Sequence, residues 1–245
     1  MLVRKAPELG GYNFEAKRLY RAELYRTFSK TVNPATALLG LMPSWELYAR
    51  NPCPEIEVAM DAGFKLENMV AIDFNPAIIA KLRAKYPRIG AAIPAHLATA
   101  CEVLSRNHIK LDILNADLCA SASNVSKILA HIANKNCLTK KALVAATALR
   151  RDWGSYPKRD VMFGRSLMLT LKTRNPRLNE TTCADYTDLD YARFWSMNVA
   201  LPWFDIIHSG IYKSGGAKQR CRNGVMKDSS TTMMWAIFKG LTTTH

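Results

Sequence analysis

Two acidic residues stand where a short apolar run gives way to a turn, and both have the chemistry of a binding or reacting group. In NMVAIDFNP, Met69 to Ile72 ends in Asp73, followed by Phe74, Asn75 and Pro76. In KLDILNADL, a second run ends on Asp117, two residues after Asn115. An acidic residue at the C-terminal tip of a strand in a nucleotide-binding α/β fold takes hydrogen bonds from ribose hydroxyls. A carboxylate suits that task because its two oxygens accept from both vicinal hydroxyls. Each residue also has a plainer reading. Asp73 can stabilise the dipole of the helix that follows it, and Asp117 can close its strand in an Asx turn. Asp112, flanked by apolar residues, can be paired inside the sheet.

Other reactive types are scattered. The five histidines form no HxxxH or HExxH pattern, and the six cysteines contain no CxxC pair. No metal is expected on that basis. Cys119, directly after the Asp117 tip, is either a nucleophile or a small core cysteine. The cysteines in apolar segments read as reduced core residues of an intracellular protein.

The elements that must position these residues follow from periodicity. Residues 13–31 predict an amphipathic helix with Phe14, Leu19, Leu24 and Phe28 on one apolar face and Lys17, Arg18, Arg21 and Arg26 elsewhere. Tyr20 and Tyr25 either stack on bases or pack this helix on the rest of the chain. Thr36–Leu41 reads as a buried parallel strand, and Pro54–Phe64 as a helix with Pro54 in its first turn and Gly63 near its end. Asn75 caps, and Pro76 opens, the helix after Asp73. A weak strand in 89–98, a helix over 98–106, a strand over 110–118, a helix near 124–135 and a strand over 142–149 continue the alternation. Short connections between alternating strands and helices predict a parallel sheet with helices on both faces. Two further strands, 203–212 and 231–238, flank a polar, glycine-bearing connection.

Net charge is +14 with a pI near 9.6, which favours a polyanionic partner. Residues 140–177 carry ten Lys/Arg against Asp152 and Asp160, and residues 213–227 carry five with no acid. Trp153, Tyr156 and Phe163 are interleaved with Arg150, Arg151, Lys158, Arg159 and Arg165. Phosphate neutralisation and base stacking call for that mixture, while a solvated basic face is the competing reading. Lys213, Lys218, Arg220 and Arg222 form the second basic group. No apolar run approaches the ~18 residues of a membrane span, and MLVRKAPELGG lacks the apolar core of a signal peptide. The expected location is cytoplasmic, without a membrane partner.

Five β/α units, an inserted segment and a closing antiparallel pair resemble the class I S-adenosylmethionine-dependent methyltransferases, from about Thr36 to Phe238. TALLGLMPS stands at their first strand and cofactor loop, VAIDF at the second strand, LDILNADLC at the fourth, and FDIIHSGIYKSGG with TTMMWAIFKG at the closing hairpin. The resemblance implies a Rossmann-like fold, a mostly parallel seven-stranded sheet with helices on both faces. Residues 1–35 would be an N-terminal helical segment, and 36–245 the main domain with a basic insertion at about 150–202. It further implies S-adenosylmethionine as cofactor, bound by Gly40, Leu41, Met42, Pro43 and Ser44 near the methionine portion and by Asp73 and Phe74 at the ribose. Asn115 and Asp117 would edge the place where methyl donor and acceptor meet. Glu46 and Glu55 are candidates for the ammonium, or else ordinary helix carboxylates.

The chain departs from the family pattern in three places. Gly40 is the only glycine of its loop, His96 or Ala95 replaces the usual third-strand acid, and NADL lacks the Pro-Pro-aromatic turn of amino-group nucleic-acid methyltransferases. Methyl transfer to a nucleic acid, DNA or RNA, is the leading expectation. A methyltransferase-like fold without activity, serving as a basic nucleic-acid-binding or assembly protein, is the alternative. A stand-alone chain with such departures fits a viral or phage source.

Overall fold

The computed structural model describes residues 14–43, 53–149, 204–214, 218–220, 226–228 and 231–240. Helix α1 (Phe14–Thr31) precedes strand β1 (Leu39–Leu41). Then come α2 (Pro54–Asp61), β2 (Met69–Asp73), α3 (Pro76–Lys85), β3 (Ala91–Pro94), α4 (Leu97–Arg106), β4 (Leu111–Ser121), α5 (Ala122–Ala133) and β5 (Leu138–Leu149). Strands β6 (Phe204–Ser214), β7 (Lys218–Arg220), β8 (Met226–Asp228) and β9 (Thr231–Gly240) follow. The seven-stranded sheet has the order β3-β2-β1-β4-β5-β9-β6, and β7 and β8 form a separate two-stranded ribbon. β1 to β5 are parallel, and β9 runs against both β5 and β6. The expected architecture, a mostly parallel sheet closed by an antiparallel pair, is what the chain adopts.

Both faces of the sheet are covered, which is why its central strands are apolar on both sides. One face buries Val70, Ile72, Leu114, Ala116 and Val144 against α4 and α5. The other buries Leu39, Leu41, Ile113, Leu143 and Ile237 with Leu24, Tyr25 and Phe28 of α1 and Ile56 of α2. Fully burying each such aliphatic or aromatic side chain contributes about 1.5–3 kcal/mol, so the two layers carry the stability of the sheet. At its amino edge, Leu38 N–H donates to Asp112 Oδ2 at 3.0 Å while Asp112 N–H donates to Leu38 O at 3.0 Å. The half-buried Asp112 is thus paired within the sheet, and it fixes the start of β1 against β4. Gly63 ends α2 at φ +93, a left-handed turn that glycine makes without strain.

The structure corrects the expected face of α1. Leu19 is 56% exposed, whereas Lys17 and Arg21 are 4% and 3% exposed. The buried set is Lys17, Tyr20, Arg21, Leu24, Tyr25 and Phe28, spaced three and one along the helix. Tyr20 and Tyr25 pack inward: Tyr20 stacks on Tyr212 with centroids 4.8 Å apart, and Tyr25 meets Phe28 edge-on. Strand β4 also runs past its expected end, to Ser121, with its register to β5 broken between Ala116 and Ala120. Asp117 therefore lies within the strand at this irregularity. Its carboxylate reaches sideways to β5 and α1 rather than closing a turn.

Candidate functional site at the carboxyl edge of the sheet

The chain order reverses between β1 and β4, and open α/β sheets bind ligands outside the carboxyl ends of the strands at such a switch point. Leu41, the last residue of β1, lies opposite Ala71 of β2 and Asn115 of β4. Asp73 ends β2 on one side of this point, and Asp117 lies two residues past Asn115 on the other. The two acids singled out in the sequence thus share one edge of the sheet.

The Asp73 side is open. Asp73 Oδ1 accepts from the backbone N–H of Asn75 at 2.7 Å, which directs the half-buried carboxylate at the strand tip. Asn75 in turn caps α3, its Oδ1 accepting from Ala77 N–H at 3.0 Å. Phe74 is 64% exposed and lies nearly parallel to the His96 ring, at 5.2 Å and 11°. An exposed aromatic face beside a carboxylate is a fit for a base and its ribose. His96 precedes α4, and its partnership with Phe74 was not foreseen beyond its place near the third strand.

The Asp117 side is closed by α1. Lys17 Nζ lies 3.4 Å from Asp117 Oδ2, with the two side chains 5% and 6% exposed. Thr147 Oγ1 donates to Asp117 Oδ1 at 2.7 Å. One turn along α1, Arg21 Nη2 and Nε reach Glu55 Oε1 at 2.6 and 2.7 Å. Burial raises the Glu55 carboxyl above its usual range, while Arg21 and then Lys17 oppose that rise. Glu55 is therefore an enclosed ion-pair partner rather than a solvated helix carboxylate. Asn115 is 2% exposed, and its Nδ2 donates to Tyr25 Oη at 3.2 Å. Among the described residues, Asn115 Oδ1 and Tyr20 Oη are enclosed with no hydrogen-bond partner. Burial, and next the nearby Asp117 charge, push the Tyr20 phenol up, so it stays protonated.

The first-strand residues divide. Gly40 is an interior position: a Cβ there would lie 2.6 Å from Leu111 Cδ1 and 3.2 Å from Leu114 Cδ1. Its lack of a side chain makes room for β4 leucines, a packing role beside the one expected of it near a cofactor. Leu41 and Pro43 are buried, Met42 half-buried, and Met42 N–H donates to Asn115 O at 3.3 Å. Ser44, Glu46, Arg150, Arg151, Lys158, Arg159 and Arg222 lie outside the described residues. Lys213 falls near the carboxyl end of β6, while Lys218 and Arg220 belong to the ribbon, opposite Asp228 and Met226. The side chain of Cys119 is likewise outside the description, whereas Cys53, Cys101 and Cys137 are buried free thiols. Among the described residues no cluster of His, Cys, Asp and Glu could hold a metal ion, and no helix is long and apolar enough to cross a membrane.

Lys17, Arg21 and Thr147, the partners of Asp117 and Glu55, do not stand out in the sequence as candidates. Their signal was present for the α1 set, since positions 17, 20, 21, 24, 25 and 28 recur as regularly as the apolar set chosen instead.

No protein-family model matches the chain, and no curated protein matches it in sequence. Solved structures do match in fold. A protein assigned as an S-adenosylmethionine-dependent methyltransferase from Streptococcus mutans superposes with TM-score 0.52 at 11% identity, over 92% of this chain and 49% of that one. An S-adenosylmethionine-dependent methyltransferase from Anabaena variabilis gives 0.51 at 12% identity, over 94% and 87%. With the strand order above, the chain has the class I methyltransferase fold.

Proposed function

We propose that the protein binds S-adenosylmethionine and transfers its methyl group to a nucleic acid. The observation that carries the cofactor is the open pairing of the Asp73 carboxylate with the exposed Phe74 ring, at the switch-point edge of a methyltransferase fold. Asp73 is suited to hold the ribose, using its second oxygen and sharing the first with Asn75 N–H. Phe74 and His96 offer the purine a flat apolar face, a contact type worth about 1–3 kcal/mol per base. The cofactor, when bound, supplies a methyl group already activated on a positively charged sulfur. What the chain supplies is positioning, which lowers the barrier by ordering donor and acceptor before reaction. The nucleic acid rests on the net charge of +14, with Lys213 near the same edge as Asp73. Calorimetric titration with S-adenosylmethionine tests the cofactor, and nucleic-acid affinity measured across salt concentrations tests the acceptor class. Saturable heat is the expected result, and its absence with folded protein sinks the enzyme reading.

One observation favours a second reading, a nucleic-acid-binding or assembly protein that has no cofactor. Gly40 serves internal packing, and Asn115 and Asp117 are enclosed beneath α1. This reading predicts steeply salt-dependent nucleic-acid binding that Asp73→Ala leaves unchanged, together with no heat from S-adenosylmethionine.

A further inference from the structure

A group of cations that the candidate site does not use lies at the amino edge of the sheet, the end opposite Asp73. Lys110 precedes Leu111, the first residue of β4, and Lys140 and Lys141 lie in β5. There β4 advances only from Leu111 to Ile113 while β5 advances from Leu138 to Leu143. The extra β5 residues have no partner in the β4 register. Lys140 and Lys141 are both exposed, whereas successive residues of a regular strand point to opposite faces. Gly240 makes room for this excursion, since a Cβ there would lie 2.3 Å from Lys140 O. Arg106 at the end of α4 and Lys239 near the end of β9 flank the group, and both are exposed.

The nearby acids are engaged elsewhere. Glu102 is held by Lys135 at 2.8 Å and His131 at 3.1 Å. Asp112 is half-buried and accepts the Leu38 N–H. Asp205 stands opposite Lys239 in the ladder, which leaves Lys110, Lys140 and Lys141. Among the described residues none of these three has an ion-pair partner. Arg106 complements the dipole of α4, but the three lysines sit on or before strands, where no such dipole calls for them. Like charges gathered together repel, so the fold gains nothing by placing them there. Phosphates would supply the missing counter-charge. A membrane surface would call for a broad apolar face beside the charges, and the described residues there offer Ile109 and Val103, 38% and 37% exposed. We propose that Lys110, Lys140 and Lys141 grip the phosphate backbone of a nucleic acid at the amino edge. This rests on the nucleic-acid reading above, not on the cofactor, and gives that partner a second surface. Contacts of this kind anchor the chain without reading sequence. Residues 143–149 of β5 alone span about 20 Å at about 3.3 Å per residue. The anchor therefore holds a segment remote from the one at the Asp73 edge.

The test measures the affinity of the full chain for labelled duplex DNA and single-stranded RNA across salt concentrations. Lys110→Gln, Lys140→Gln and Lys141→Gln are combined in one variant. A control combines Arg26→Gln, Lys81→Gln and Lys127→Gln, exposed cations of α1, α3 and α5 whose loss lowers the net charge equally. The amino-edge variant is expected to bind at least one probe about tenfold more weakly at low salt, with the log–log salt slope reduced by about 2–3. The control should lose less than about threefold, since charges away from the contact act only through a screened field. Should the amino-edge variant lose its cooperative melting transition, each single variant should lower the slope by about 0.7–0.9. Equal losses in the two triple variants overturn the inference, because net charge alone then explains binding. Unchanged binding in the amino-edge variant overturns it too and leaves the nucleic-acid reading standing. A wild type that binds neither probe, or binds only phosphatidylserine vesicles, defeats the nucleic-acid reading and this inference with it.

Discussion

Asp73 and Asp117 lie on one edge of one sheet in opposite surroundings. Asp73 is half open, oriented by a backbone N–H two residues on, beside an exposed aromatic pair. Asp117 is enclosed, its oxygens taken by Lys17 from a distant helix and Thr147 from the next strand. The first arrangement is local and costs the fold almost nothing to keep. The second joins three elements and is maintained only while α1 stays docked. An open carboxylate is available to an incoming ligand at once, whereas an enclosed one is already engaged by Lys17 and Thr147. The difference separates a contact from a setting, and substitutions on the two sides should fail in different ways.

The largest effect is expected from breaking the enclosed side. Arg21→Met removes the guanidinium that pairs with the buried Glu55 and should cost about 3–5 kcal/mol in chemical denaturation. Adding Glu55→Leu should recover most of that loss. Recovery of nothing would mean that Arg21 acts mainly through its packing.

Gly40→Ala comes next. The new methyl meets Leu111 Cδ1, and overpacking of this kind costs about 1–3 kcal/mol. Unchanged stability with lost cofactor affinity would return Gly40 to the ligand loop and blur the contrast. On the open side, Asn75→Ala removes the cap on α3 and should cost about 1 kcal/mol, read from the melting temperature.

Phe74→Ala sharpens the comparison from the other direction. An exposed ring contributes within about 0.5 kcal/mol to stability, yet its loss should weaken cofactor affinity about tenfold. A stability loss without an affinity change would make the Phe74–His96 pair a structural clasp.

The smallest effect lies away from both sites. Lys135, at 2.8 Å, and then His131 hold the Glu102 carboxyl below its ordinary 4.5. Its folded-state pKa is depressed, so its stabilising contribution is present above 4.5 and lost as pH falls through the depressed value. Glu102→Gln should remove only that component from the acid limb of the stability profile. A changed profile above neutrality would point to another group.

The open side was legible in the sequence, apart from the His96 ring, because the rest of what builds it is local. Strand periodicity ends at Asp73, Asn75 and Pro76 begin the helix, and the exposed Phe74 lies between them. The order of strands was legible for the same reason, since each β/α unit announces itself over about twenty residues. The enclosed side was not. Lys17 and Arg21 carry charges that read as solvent-facing, and what buries them is pairing with Asp117 and Glu55 elsewhere in the chain. The packing role of Gly40 was hidden because the leucines that need its space belong to β4. Asp117 looked like a strand end because the irregularity that prolongs β4 is set by β5. Long-range partners decided each of these positions.

The central claim is that the open carboxylate holds a nucleoside-bearing cofactor. Its most direct test is calorimetric titration of S-adenosylmethionine into the wild-type chain and into Asp73→Ala, with folding of both verified by thermal melting. The account predicts saturable binding to wild type and a loss of about 10- to 100-fold in the variant, the scale of hydrogen bonds to a charged group. Equal affinity in the two proteins, or no binding to folded wild type, would contradict it.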